Sequence, residues 1–123
     1  MTTTEQGSVG LGFAIAYFVA NGYIVSLPLN DNQAYDLIVD KEGLQRVQVK
    51  TTGYKESKNN YTVQLKSTRA NKNVNKVKKF DSTKSELVFI LDRDGNQYLI
   101  PSCEIKVKNS FALGKKAEKW KVK

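Results

Sequence analysis

The chain has 123 residues, enough for one compact domain with its own core and too few for a second. It contains no histidine, which excludes His-ligated zinc sites, Ser-His-Asp triads and histidine-based nucleases together. The single cysteine, Cys103, cannot close an intrachain bridge and suits a reducing cytosol. The net charge is +8, and the excess is concentrated. Between Ser57 and Phe80 there is no acid against Lys58, Lys66, Arg69, Lys72, Lys76, Lys78 and Lys79, and from Lys106 onward seven lysines face Glu118 alone. Such a field attracts polyanions, nucleic acid above all, although a solvated basic surface explains the composition equally well.

Residues Thr4 to Asn21 are predicted to form a helix, ended by Gly22 in a left-handed cap. Val9, Leu11, Phe13, Ile15, Phe18 and Val19 cover most of its circumference, the pattern of a buried helix. Gly7, Gly10 and Gly12 weaken it and make sense where another backbone or a ligand comes close. The apolar run Leu11–Ala20 is too short to span a membrane and lacks the flanks of a signal peptide, which points to a soluble cytoplasmic protein.

Strands are predicted over Tyr23–Leu27, Tyr35–Asp40 and Gln45–Lys50, the last two joined by a turn at Lys41-Glu42-Gly43. Tyr61–Leu65 is a further strand, and Leu87–Leu91 with Gln97–Pro101 a second hairpin across Asp92–Gly95. The polar, basic stretch Ser67–Thr83 reads as a loop or irregular helix. The fold class is α/β: one domain, residues 1–123, with a buried N-terminal helix against a mixed, mainly antiparallel sheet.

Period two decides which side chains share a sheet face. Leu37, Val39, Val47 and Val49 point toward the helix, so Asp36, Gln48 and Lys50 emerge together on the other side. This set suits phosphodiester hydrolysis with a hard divalent cation, magnesium, for which manganese can substitute. Asp36 offers an anionic oxygen, Gln48 a neutral one and the Val49 carbonyl a third, while Lys50 orients water and neutralises developing charge. A solvated glutamine beside a surface Asp–Lys pair across a hairpin is the competing reading.

The string GYIVSLPLNDNQAYDLIVD followed by VQVKTT resembles the PD-(D/E)XK nuclease superfamily. Within it the likeness is strongest to the group I intron-associated, homing-type endonucleases, which carry glutamine in place of the second acid, and fainter to archaeal Holliday-junction resolvases. The resemblance implies a restriction-endonuclease-like core, with Asp36 as the motif aspartate, Gln48 as the variable position and Lys50 as the motif lysine. Relatives often carry a glutamate in the middle of the first helix that supports the metal. Here the matching region reads Gly10-Leu11-Gly12, leaving Glu5, nearer the helix start, as the candidate, or as an acid favoured by the helix dipole.

The expected activity is that of a magnesium-dependent endodeoxyribonuclease of the homing type acting on double-stranded or branched DNA. A junction resolvase and a catalytically inactive DNA-binding module of the same fold are the alternatives. Lys66, Arg69, Lys72, Lys76, Lys78 and Lys79 are expected to track the DNA backbone. Thr51 and Thr52 are candidate phosphate contacts or plain strand residues, and Gln33 and Tyr35 border Asp36. Cutting two strands at a fixed offset requires two active sites, hence a homodimer or higher homo-oligomer.

Overall fold

The computed structural model describes residues 1–30, 32–57, 59–70 and 75–122. Helix α1 spans Thr3–Ala20, its first turn capped by Thr2, whose hydroxyl accepts the Glu5 N–H at 3.1 Å. It ends through Asn21 and Gly22, the latter at φ +86°, as its sequence predicts.

The central sheet has six strands: β1 (Ile24–Ser26), β2 (Leu37–Asp40), β3 (Leu44–Thr52), β8 (Leu87–Asp92), β9 (Gln97–Pro101) and β11 (Lys121–Val122), in that spatial order. Its pairings are antiparallel except β3 with β8, which run parallel, so the sheet is mixed and mainly antiparallel as expected. The β2–β3 hairpin turns through Gly43 at φ +147°, conformational space that favours glycine. A smaller sheet orders β10 (Ser110–Ala112), β5 (Asn60–Gln64) and β4 (Lys55–Ser57).

The expectation for Ser67–Thr83 is corrected. β6 (Ser67–Ala70) and β7 (Asn75–Lys78) pair antiparallel as a two-stranded ribbon, with Arg69 opposite Lys76 and Ser67 opposite Lys78. Strands in which apolar residues do not recur at every second position leave no period-two signature in the sequence.

Two hydrophobic clusters lie on opposite faces of the large sheet. Ala14 and Phe18 of α1 pack on Leu37, Val39, Val47, Leu87, Phe89 and Leu91. Val88, Ile90 and Ile100 pack on the other face against Tyr61, Val63, Leu65 and Phe80 from the smaller sheet and its flanks. All six residues of β8 are therefore buried, as in a strand covered on both sides. The covering of the second face stops short of β2, and there a cleft opens.

Candidate active site

Asp36 immediately precedes β2, and the site is built on how that strand begins. The β2–β3 ladder runs only from Asp40↔Leu44 to Leu37↔Val47. Beyond it, the Asp36 N–H donates to the Val47 carbonyl at 2.8 Å, and Asp36 Oδ2 accepts the Val49 N–H at 2.8 Å. The carboxylate thus replaces the next rung of main chain, satisfying a donor that would otherwise be orphaned. A strand residue's carbonyl leaves the same edge as its N–H, so the Val49 carbonyl lies on this edge past the last β2 partner. Asp36 itself lines the opening at this edge.

Gln48 and Lys50 alternate with Val47 and Val49 and stand opposite Val88 and Ile90 of β8, on the face away from α1. Both are half-buried. Asp36, Gln48, Val49 and Lys50 share the floor of a cleft of about 770 Å³. One wall is formed by Asn32, Gln33, Ala34 and Tyr35, the other by Leu65, Lys78, Lys79, Phe80, Asp81 and Lys84.

The electrostatics are under tension. The surrounding protein desolvates Asp36 and pushes its carboxyl pKa up, although the Val49 N–H and the Lys50 charge pull it down. Burial likewise pushes the Lys50 ammonium down, against the opposing pull of Asp36. Each ion partly supports the other in a place that suits neither alone.

Arg46 also lines the cleft and is tied to Glu86. The Arg46 main-chain N–H donates to Glu86 Oε1 at 2.7 Å, and its Nε reaches both carboxylate oxygens at 3.1 and 3.2 Å. The guanidinium also pairs with Glu86 through Nη2 and donates to the Thr83 carbonyl at 3.1 Å. Asp81 accepts both the N–H and the hydroxyl of Thr83, so the turn that carries Lys84 is fixed from two sides. Sequence reasoning did not select Arg46 or Lys84. Arg46 shares the strand parity of Gln48, which is a usable signal; Lys84 has none before the fold is known.

The sequence-predicted residues divide. Asp36, Gln48, Val49 and Lys50 come together, joined by Lys78, Lys79, Gln33 and Tyr35. Lys66 is exposed and does not line the cleft, while Arg69 and Lys76 lie on the β6–β7 ribbon. Lys72 falls outside the described residues. Glu5 is exposed in the first turn of α1 and does not line the cleft. Neither threonine faces the cleft: Thr51 packs on Gly10, and buried Thr52 donates its hydroxyl to the Thr62 carbonyl at 2.6 Å. The close approach at Gly10 is by a side chain rather than a backbone or a ligand, since a Cβ there would stand 2.4 Å from the Thr51 methyl, whereas one at Gly7 or Gly12 would meet nothing within 4 Å.

The donor set fits a hard cation, with oxygens from Asp36, Gln48 and the Val49 carbonyl and no soft or nitrogen ligand. It is sparse. Among the described residues no three His, Cys, Asp or Glu side chains gather in one place. A cation held here by protein alone would be held weakly, and a phosphate oxygen is the natural completion.

Comparison with known proteins follows the same lines. The family model described as PD-(D/E)XK endonuclease matches residues 1–120. The structure of a bacterial homing endonuclease, I-Ssp6803I, superimposes with a TM-score of 0.80 at 26% identity, covering 94% of this chain and 80% of that one. No curated protein sequence matches.

Proposed function

Because the chain belongs to the PD-(D/E)XK endonuclease family, we propose that its cleft hydrolyses DNA phosphodiester bonds with the help of a divalent metal, as a homing-type endonuclease. The observation that carries this reading is the Asp36 carboxylate, fixed through Oδ2 by the Val49 N–H, on one floor with Gln48 and Lys50. Similarity to a bacterial homing endonuclease supports the substrate class. Asp36, Gln48 and the Val49 carbonyl would hold magnesium, or manganese in its place. When bound, the cation supplies Lewis-acid polarisation of the phosphate and a lowered pKa for water.

The chain's own residues do the rest. Lys50 orients the attacking water and meets the charge that grows on the phosphoryl oxygens. Its suppressed pKa brings it nearer to the range where a lysine exchanges a proton with water. Lys78, Lys79 and Lys84 hold the backbone along one wall, and the Arg46–Glu86 pair keeps that wall in place. Glu5 takes part only if DNA or a second subunit brings it to the cleft. Two such clefts, in a homo-oligomer, would cut both strands.

The direct test is incubation with linear duplex, supercoiled plasmid and a synthetic four-way junction, each with magnesium, calcium or chelator. Cleavage of duplex with magnesium and none with chelator is the expected outcome. Exclusive cutting of the junction would move the substrate from sequence to shape. Activity undiminished by chelator would remove the metal from the mechanism.

Two further results are expected. Gln48→Glu should bind magnesium or manganese more tightly than wild type without DNA, because a second anion joins Asp36. Equal affinities by calorimetric titration would take Gln48 out of the site. Replacing Lys78, Lys79 and Lys84 by glutamine should weaken DNA binding in a salt-dependent way. If each lysine neutralises one phosphate, the slope of log affinity against log salt should flatten by about two to three. An unchanged slope would make that wall ordinary solvated surface.

A further inference from the structure

Two stretches of chain line the cleft above its floor, and only one is cationic. Lys78, Lys79 and Lys84 belong to the stretch with Leu65 and Phe80, while Asn32, Gln33, Ala34 and Tyr35 carry no charge. The contrast extends beyond the cleft. From Met1 to Asp40 the sequence has no lysine or arginine against Glu5, Asp31, Asp36 and Asp40. α1, β1 and β2, with the loop that leads into Asp36, therefore offer a phosphate no cationic side chain. The next residue, Lys41, is drawn to the end of α1, where it donates to the Asn21 carbonyl at 3.0 Å.

Behind the cationic stretch the chain adds more positive charge. The Phe80 N–H donates to the Lys108 carbonyl at 3.0 Å, and the Leu65 and Lys66 N–H groups share the Asn109 carbonyl at 2.9 and 3.3 Å. Residues 108 and 109 are thus pinned to both apolar members of that wall. Lys66, Lys84 and Lys108 are all exposed. Asp81, which lines the cleft, shows how close two of them come. Hydrogen bonds from Thr83 hold its carboxyl below the ordinary carboxylate range, and the charges of Lys84 and Lys108 add to that pull. Lys108 therefore stands at the rim of the cleft. Lys106 differs, since its ammonium donates to the Cys103 carbonyl at 2.9 Å.

We infer that DNA bound in the cleft is carried onward on one side only, its backbone held by Lys84, Lys108 and Lys66, while the loop before Asp36 holds no phosphate. Each strand of a duplex presents a phosphate about every 3.4 Å, so a duplex of several turns outruns the cleft and must lie on what borders it. A cationic border draws the backbone in, and a neutral or acidic one leaves it in solvent. Lys108 thereby becomes a further DNA-binding residue, supplied by a segment far from the cleft in sequence. The inference rests on the endonuclease reading only in that the cleft binds DNA; it does not require cleavage.

Fluorescence anisotropy with a duplex several helical turns long, in calcium over a range of salt, tests the path apart from the activity. Lys66→Gln with Lys108→Gln should flatten the slope of log affinity against log salt by about two, one per phosphate. Circular dichroism should not change, since both side chains are exposed. Lys119→Gln with Lys121→Gln removes the same charge by β11, at the sheet edge farthest from β1, and should leave the slope as it was. A benzophenone on Lys108→Cys, in a Cys103→Ser background, should cross-link to the duplex, and one on Leu29→Cys, fully exposed before the uncharged stretch, should not. Equal slopes for the two double variants, or equal cross-linking from both positions, would overturn the inference. A wild type that binds this way yet cleaves nothing in magnesium would count against the endonuclease reading alone. Cleavage by a protein whose salt slope ignores Lys66 and Lys108 would count against the path alone.

Discussion

Lys50→Met is expected to raise the unfolding midpoint of the metal-free protein while slowing DNA cleavage at least about a hundredfold. The two effects share one cause. Lys50 is half-buried on β3 opposite Ile90, and burial holds its ammonium below the ordinary lysine value of 10.5. A folded-state pKa lower than the unfolded one means that the charged lysine opposes folding at neutral pH. That opposition fades as pH rises through the folded value toward 10.5. Wild type should therefore gain on Lys50→Met as the medium becomes alkaline. Asp36 carries the mirror-image cost: its raised pKa penalises folding above that value, and the penalty is relieved as pH falls through it.

Because each ion supports the other, Lys50→Met alone leaves Asp36 without its cation, and the gain in stability is partial. Asp36→Asn keeps an oxygen for the Val49 N–H and removes the charge. The double variant should melt highest and cleave least. Thermal melts in chelator at neutral and alkaline pH, beside plasmid cleavage in magnesium, measure both halves. A Lys50→Met protein that melts lower at neutral pH, or cleaves at the wild-type rate, would refute the account. Charges kept where they destabilise the fold are what a site selected for chemistry looks like.

The site was legible in the sequence because its scaffold alternates cleanly. Leu37 and Val39, with Val47 and Val49, mark one face of a hairpin whose turn is fixed by Gly43, and the opposite parity delivers Asp36, Gln48 and Lys50 together. The structure adds why Asp36 sits one residue before β2: its carboxylate is a rung of the ladder. What was not legible depends on distant pairing. The parallel register that sets Gln48 against Val88 joins segments forty residues apart, and the Arg46–Glu86 pair depends on it. In Ser67–Ala70 and Asn75–Lys78 apolar residues do not recur at every second position, so period two does not mark the β6–β7 ribbon. Near the C-terminus, lysines conceal a packing pattern in which Leu113 and Ala117 are buried and Phe111 meets Trp120 at 6.3 Å. Glu5 stands exposed in the Thr2-capped first turn and does not line the cleft, a place where an acid suits the helix dipole.

Phe89→Ala should cost about 3–5 kcal/mol, more than any single change at the cleft. Phe89 is fully buried at the middle of β8, between β3 and β9, and its ring lies 5.9 Å from Tyr17 and 6.2 Å from Phe18. Removing it opens a void where α1 meets the sheet. The void cannot close easily, because Val88 and Ile90 hold β8 to the core on the other face. A domain of this size has about 5–15 kcal/mol of stability in all, so the variant keeps only a fraction of it. Phe111→Ala, at a half-buried position on the edge of the smaller sheet, should cost clearly less. Urea denaturation compares them, and a loss below about 1.5 kcal/mol for Phe89→Ala would mean that the α1 side relaxes freely into the space. Cleavage should then fall further than the folded fraction does. Phe89 stands opposite Val49, and the Val49 N–H is what holds the Asp36 carboxylate, so a shift of β3 toward the void moves the one carboxylate on the cleft floor.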